Sequence, residues 1–548
     1  MDMLRIGLSS LLTTQHSMSV SSNNIANSNT EGYARQKMVV GQPSSINIGG
    51  VYYGQGVYVS DVKRIGSEYL ETSLRNSKAS HQFYESYYGL GVEIDKMLSD
   101  QDTGLDKTLQ TLFTSLGDLA NSPTSEATRG VVLDSFNALG GKFESIAHVI
   151  QLSRNTVDSD LVAFTDRLNS LANDLVSINE GLKDSKAKTG EFAAQLVDER
   201  YRVLSDMSEL ADMQVFYDED GMASVYLGDG MALVANNKVT PVEARPNGFS
   251  DGEYEVYLRG AEISDQINGG KIGASLKYRS EVLDSSENQI GRLALGFTQM
   301  MNLKHQNGFT PSGVAGGSIL ADFSAVAQNH LSNGGTGVLT VSFDSGATQA
   351  VQEANMQALE ARTYEVVDNG GTYDVYDADS GDVLLTGAGA SFSLEGLDFN
   401  LAGVTAAGDS FKISPMAKAI DNYQLLITDT QDIANSQDPV GSISDNRNTL
   451  DLYDIQDMKF LNNGLDSLQG GYSTLVAGLG SEVASAEASM YTASALYDQA
   501  QLNRDTESGV NVEEEAANIL ALQQHYSAAA KVVAAAQAIF DDLINAVR

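Results

Sequence analysis

Apolar residues recur at alternating steps of four and three at both ends of this chain. Near the start the positions are Leu4, Leu8, Leu11, Gln15, Met18, Ser22 and Ile25. Near the end they are Ile519, Leu522, Tyr526, Ala529, Val533, Ala536, Phe540, Leu543 and Val547. An a/d stripe of this kind is narrower than the apolar face of an ordinary globular helix and calls for a partner helix. The spacing therefore predicts a helix at each terminus. Gln15 and Ser22 dilute the first stripe and alanine dilutes the second. Each helix is marginal alone and is expected to be frayed or disordered in the monomer and to become ordered in an assembly, its stripe buried only between neighbouring subunits.

Between the ends the periodicity changes several times. Residues 36–65 read as a hairpin broken at Gly49-Gly50 and Gly54, and 66–99 and 105–121 as helices. From Phe143 the series Ile146, Ile150, Val157, Leu161, Phe164, Leu168, Leu171, Leu175, Ile178 and Leu182 predicts a long helix, ended by the polar 183–190 break. A second helix has Phe192, Leu196, Val203, Met207 and Leu210 on its buried side. Alternation takes over near Met213, with turns at Asp220-Gly221 and Asp229-Gly230. Helical spacing returns over 275–304, Gly-punctuated strands fill 308–415, and helix is expected through most of 418–507.

The fold class that follows is α+β and multidomain, with β-rich outer domains inserted into a terminal helical bundle. The expected partition is a coiled-coil assembly domain at 1–35 and 508–548 and a helical bundle with a β-hairpin at 36–212 and 418–507. A β-rich domain with a returning helix is expected at 213–307, and an outer β-rich domain at 308–417.

Charge narrows the partners. The 34 basic residues against 72 acidic ones give a net charge of -38, which repels phosphate backbones and anionic lipid surfaces. Neither a nucleic acid nor a membrane is an expected partner. No apolar run approaches the ~20 residues of a membrane span, and 6–12 is too short for the core of a secretory signal. Cysteine is absent, which removes disulfides, thiolate metal sites and thiol nucleophiles. That absence fits a protein reaching the cell exterior without passing an oxidising folding compartment.

Candidate chemistry is sparse. The six histidines are scattered, and no phosphate-binding, nucleophile-elbow or zinc motif occurs. Asp377, Asp379 and Gly381 echo a calcium loop but lack its remaining ligands, so a β-turn is expected there. No catalytic residue, cofactor or metal site is assigned. Asn511 is placed to cap the last helix, with Glu514 three residues on as in a capping box. Asn27, Asn29 and Gly32 tolerate left-handed backbone and suit a sharp exit from the first helix.

Asn23-Asn24-Ile25-Ala26-Asn27-x-Asn29-Thr30-x-Gly32-Tyr33-x-Arg35-Gln36 resembles the N-terminal signature of bacterial flagellar rod, hook and hook-associated proteins. Ser508-Gly509-Val510-Asn511-Val512-Glu513-Glu514-Glu515 resembles its C-terminal counterpart, with Val512-Glu513 where the family usually carries Leu-Asp. Tyr33-x-Arg35-Gln36 and the segments Leu196-Val197-Asp198-Glu199-Arg200, Asn302-x-x-His305-x-x-Gly308 and Asp445-Asn446-x-Asn448 are similar to the hook-associated members rather than to hook protein.

The resemblance implies a non-enzymatic structural role at the junction of hook and filament, on the outside of the cell. It implies export through the flagellar type III apparatus without signal cleavage. The implied partners are further copies in a ring, hook protein below, the next hook-associated protein above, and an export chaperone on the last helix. The expected assembly interface is Leu4, Leu8, Leu11, Met18, Asn24, Ile25, Asn27, Asn29, Gly32, Tyr33, Asn511, Ile519, Leu522, Tyr526, Val533, Phe540 and Leu543. A hook-type axial protein and a secreted coiled-coil adhesin are the alternatives.

Overall fold

A computed structural model describes residues 2–30, 32–100, 104–250, 252–346, 348–440 and 443–547. Glu31 of the N-terminal signature, residues 101–103 of the break after the first bundle helix, and the side chain of Val547 lie outside the described residues.

Helix α1 (Asp2–Ala26) leads into nested hairpins. Strand β1 (Gln36–Gly41) pairs with β4 (Tyr58–Arg64), and β2 (Ile46–Ile48) with β3 (Val51–Tyr53), all antiparallel. Gly49 and Gly50 both take positive φ, as a two-residue hairpin turn demands. Helices α2 (Glu68–Leu98), α3 (Leu105–Asn121), α4 (Glu126–Thr189) and α5 (Ala194–Leu210) follow. The 64-residue α4 is the spine, about 95 Å long at 1.5 Å per residue. Ser125 caps its start by accepting from the Thr128 N–H, and Gly190 ends it at φ 82°.

Two small sheets come next. Strands β5 (Met213–Tyr217), β6 (Ala223–Leu227), β7 (Met231–Ala235) and β8 (Lys238–Val239) form a meander. Strands β9 (Val242–Pro246), β10 (Tyr254–Leu258) and β11 (Ala261–Glu262) form the second sheet, with β10 central. Both are clamped to α4 by asparagines. The Asn179 amide exchanges two hydrogen bonds of 2.9 Å with the Ala223 backbone, and Asn169 exchanges two with Val242, at 2.7 and 2.9 Å. Helix α6 (Gly270–Lys277), a π-helical stretch (Tyr278–Asp284) and α7 (Ser285–Gln306) run on without a break. Phe297 of α7 meets Phe113 of α3 and Phe136 of α4, so this returning rod packs against the bundle helices.

The outer domain holds β12 (Ser324–Val326), β13 (Gln328–Asn329), β14 (Val338–Phe343), helix α8 (Gln349–Gln357) and β15 (Tyr364–Asp368). It continues with β16 (Tyr373–Asp377), β17 (Val383–Ala388), β18 (Ser391–Leu394), β19 (Leu397–Ala402) and β20 (Ser410–Ile413). The sheet orders are β12-β14-β19-β18 and β13-β20-β15-β16-β17. Tyr364 and Phe399, one from each sheet, meet edge-on at 5.3 Å across the core between them. The turn after β16 is the expected one, Asp377 accepting from the N–H groups of Asp379 and Ser380. Helix α8 buries only Met356, too little apolar periodicity to announce a helix among strands.

Helices α9 (Pro415–Asp421), α10 (Arg447–Tyr453), α11 (Leu468–Ser508) and α12 (Val512–Val547) complete the chain. Helix is less continuous than expected over 418–507, because the segment between α9 and α10 is, among the described residues, irregular apart from the short 3-10 turn Thr430–Asp432. Buried side chains satisfy its backbone instead, together with that of the 307–323 segment after α7. Asn302 accepts from the N–H groups of Ile319 and Leu320, both at 2.9 Å. The His305 Nε2 accepts from the Ala434 N–H at 2.9 Å, so Nδ1 carries the proton and donates to Gly317 O at 2.7 Å. Asn448 donates to Ala434 O at 2.8 Å, and Asn446 to Ala120 O at 2.6 Å. Two of the three interior signature segments thus serve as scaffolding for irregular backbone.

Candidate assembly site: the terminal helices and the neck

Helices α1 and α12 lie along one another, so the two chain ends form a single unit. The buried face of α1 is not the leucine stripe. Gly7, Thr14 and Ser21, spaced seven apart, are buried, together with Thr13 and Asn24. A methyl group at Gly7 would stand 2.7 Å from the Val533 Cγ2, which places the α1 backbone directly against α12. On α12 the buried positions of the stripe are Ala529 and Ala536. Small residues on both sides permit this approach, and the larger side chains are left at the flanks.

The expected interface residues divide accordingly. Leu11, Met18, Ile25, Ile519, Leu522 and Val533 are half-buried within the chain. Leu4, Leu8 and Tyr526 are exposed, and Phe540 and Leu543 keep 51% and 61% of their surface open. Leu12, Leu520, Ile539 and Ile544 are exposed beside them. Part of each stripe is therefore covered inside the chain, contrary to the expectation that it waits wholly for a neighbour. What remains open is an apolar surface on an otherwise highly charged molecule.

The N-terminal signature builds the elbow between α1 and β1. Asn24 has no exposed surface. Its Nδ2 donates to Gln36 O at 2.9 Å, and its Oδ1 accepts from the Gln36 N–H at 3.0 Å and the Tyr33 hydroxyl at 2.8 Å. This amide mimics a strand partner for Gln36. Asn27 donates back to Asn23 O at 3.0 Å, while Asn29 is exposed. Of the three residues expected to take left-handed backbone, Gly32 alone does so, at φ 78°. Burial, then the Asp198 charge, pushes the Tyr33 hydroxyl up, so it stays a donor.

Just beyond the elbow both ends of the chain pass through one neck. The Arg35 N–H donates to Ser508 O at 2.8 Å, and the Ile65 N–H to Arg35 O at 2.8 Å. Arg504 donates to Gly32 O at 2.8 Å. The guanidinium of Arg35 holds Glu515 at 2.7 Å and Glu514 at 3.2 Å. Arg64 holds Asp198 at 2.6 Å and Glu71 at 2.8 Å, and Arg504 approaches Glu71 at 3.6 Å. Burial works against the Arg35 charge, but Glu515 and Glu514 outweigh it. Burial raises the Asp198 carboxyl despite Arg64. Asn511 does cap α12, accepting from the N–H groups of Glu513 and Glu514 at 3.0 and 3.1 Å. The side chain of Glu514, expected to return to the cap, reaches across the neck to Arg35.

Sequence reasoning leaves out Arg35, Arg64, Glu71, Arg504 and Glu515 as site residues. Arg35 and Glu515 stand 480 residues apart, and no local pattern links positions at that distance. The one signal was their presence inside the two terminal signatures. Asp198, from the third interior segment, enters the neck, and Arg200 beside it stacks on the Tyr201 and Tyr217 rings and donates to Gly221 O at 2.6 Å.

Comparison with known proteins reaches the same elements. A family model described as the flagellar hook-associated protein FlgK helical domain matches residues 92–320. Models for the flagella basal body rod protein and the C-terminal part of the flagellar basal body rod FlgEFG protein match 4–33 and 504–546, the two halves of the terminal unit. Flagellar hook-associated protein 1 of Escherichia coli (strain K12) is 29% identical over 548 residues, covering 98% of each chain. That of Bacillus subtilis (strain 168) is 24% identical over 577 residues, covering 98% of this chain and 96% of the relative. The solved structure of the flagellar hook junction protein FlgK from Burkholderia pseudomallei shares the fold, with a TM-score of 0.70 at 20% identity over 79% of this chain and 99% of that one. With rod-type models on the paired ends, a hook-associated helical domain in the body and relatives matched from end to end, this chain is similar over nearly its whole length to flagellar hook-associated protein 1.

Proposed function

We propose that the chain is a structural subunit of the bacterial flagellum that forms the junction between hook and filament. The observation that carries this reading is the open apolar flank of the α1–α12 pair, where Leu4, Leu8, Phe540 and Leu543 remain exposed. Burying such a flank between copies in a ring stabilises the ring by ~25 cal/mol per Å² of apolar surface removed from water. Hook protein below and the next hook-associated protein above are the neighbours that such a zone requires. The subunit works without catalysis, by shape and adhesion. It leaves the cell unfolded through the flagellar export apparatus, with a chaperone covering the α12 flank beforehand.

The test is binding of purified chain to isolated hooks, comparing the full chain with a variant lacking 1–32 and 512–548. Capping of hook tips by the full chain alone, followed by further growth, is the expected result. Equal binding by both, or by neither, removes the terminal pair as the assembly element.

A further inference from the structure

The cleft between the helical body and the outer sheets holds more carboxylates than cations. Arg154 on α4 pairs with Glu253, with Asp284 at 2.6 Å and with Glu287 at 2.7 Å. None of these four side chains is more than 25% exposed. Arg279, in the π-helical stretch, pairs with Glu255 and donates to Tyr254 O. Asp158, one turn along α4 from Arg154, accepts from the Tyr254 N–H at 3.4 Å. From the outer domain, Lys412 of β20 and Asp379 beyond β16 line the same cleft. Lys418 stands at its rim on α9, and Asp421 of the same helix acts on Glu287. His330 lies farther along, edge-on to Phe249. Asp158, Glu253, Glu255, Asp284 and Glu287 therefore face two guanidiniums and the ammonium of Lys412. Full ionisation would leave negative charge uncompensated where water is scarce.

The backbone that carries Glu253 also touches the outer domain. The Leu331 N–H donates to Gly248 O at 2.6 Å, and the Ser250 N–H to Asn329 O at 3.1 Å. The charge state of the cluster is thus coupled to a contact between two parts of the molecule. We propose that the Arg154 cluster is a proton-operated clasp, which holds the outer domain against the helical body while one carboxylate is protonated and loosens when that proton leaves.

Asp284 is the group that holds the proton. Burial, then the charge of Glu253, raises its carboxyl to about 7, with Arg154 and Arg279 opposing. Glu253 moves downward: burial pushes against ionisation there too, but Arg154 and Arg279 prevail. A carboxyl raised in the folded state contributes stability that is complete below its unfolded value of about 3.9 and is lost as pH rises through about 7. The clasp is closed in mild acid and loosened in mild alkali. The π-helical stretch sets the geometry, since Arg279 and Asp284 both lie on it.

The chain has no cysteine, so two can be introduced for spin labels without background. Ser159 on α4 and Val404 in the outer domain are both exposed. The S159C/V404C chain is measured by pulsed electron–electron distance spectroscopy between pH 5.5 and 8.5. One narrow distance population is expected at pH 5.5 and a second, longer one at pH 8.5, with a midpoint near pH 7. Asp284→Asn and Glu287→Gln each remove the excess charge by a different route, so each should keep the narrow population at both pH values. Should Asp284→Asn fail to fold, Glu287→Gln decides. An unchanged distribution in the parent across this range overturns the proposal, as does persistence of the pH shift in either folded variant.

Discussion

Replacing Asn24 by alanine tests whether the elbow is held by a single side chain. Asn24 is fully buried and makes three hydrogen bonds, two of them to the backbone of Gln36, which is itself 9% exposed. Alanine leaves the Gln36 N–H and C=O without partners. Each such group costs about 1–3 kcal/mol when buried and unpaired. Water reaching the edge of the site recovers some of this, so the expected loss is about 3–4 kcal/mol, or roughly 100- to 1,000-fold in the opening equilibrium. Asn24→Asp keeps the acceptor but sets a carboxylate against Gln36 O, and should loosen the elbow as well. The assay is amide hydrogen exchange over the 33–41 segment of the full chain, read alongside the bundle helices as an internal control. Exchange should accelerate at the elbow and remain unchanged in α4. Protection within threefold of the parent at Gln36 would refute the reasoning, since the amide bridge would then carry no measurable load. Hook binding should fall in the same variant, although Asn24 itself presents no surface to a neighbour.

Three further outcomes follow from the geometry. Phe540→Asp changes a side chain that is already 51% exposed, so thermal unfolding of the monomer should be unaltered while incorporation at hook tips stops; normal filaments built from this variant would sink the assembly reading. Burial holds the His305 imidazole below the ordinary histidine value. The unfolded chain keeps about 6.5. It therefore takes up the proton first on acidification, and stability is complete above about pH 6.5 and declines as pH falls toward the depressed folded value. Melting temperatures between pH 7.5 and 4.5 should fall more steeply for the parent than for His305→Gln, and parallel curves would count against it. A methyl at Gly291 would stand 1.7 Å from Met416 O, a backbone atom that cannot rotate away. Gly291→Ala should therefore cost more than about 2 kcal/mol by denaturant titration, and an unchanged midpoint would disprove the close approach of α7 and α9.

Where structure follows local period, the chain declares it. Helices expected at 66–99 and 105–121 are found at 68–98 and 105–121, and α4 stops inside the polar 183–190 break. Both terminal helices are present as their heptads require, but they are formed and paired within the single chain rather than frayed in it. The face of α1 was not legible, because two heptads overlap on it. The leucines announce one seam, whereas Gly7, Thr14 and Ser21 form the seam actually buried, and only the position of Val533 decides between them. The neck was not legible either, since Arg35, Glu71 and Arg504 gain their meaning from partners on distant segments. The irregular segment between α9 and α10 is ordered by Asn435, Asn448 and His305, residues whose period carries no signal. Strand order in the outer domain depends on crossovers that alternation leaves unspecified.

The passage of both chain ends through one neck also sets an order of events. Gly7 and Val533 touch although roughly 500 residues separate them, a closure that is entropically costly for a free chain. Once Arg35 is hydrogen-bonded to Ser508, the loop still to be closed is only roughly 50 residues long. Shortening it about tenfold lowers the closure cost by about 2 kcal/mol. On closure entropy alone, the terminal pair therefore forms more cheaply after the neck than before it. A molecule folded in this sequence can be complete in its body while its ends remain free to choose between each other and a neighbour.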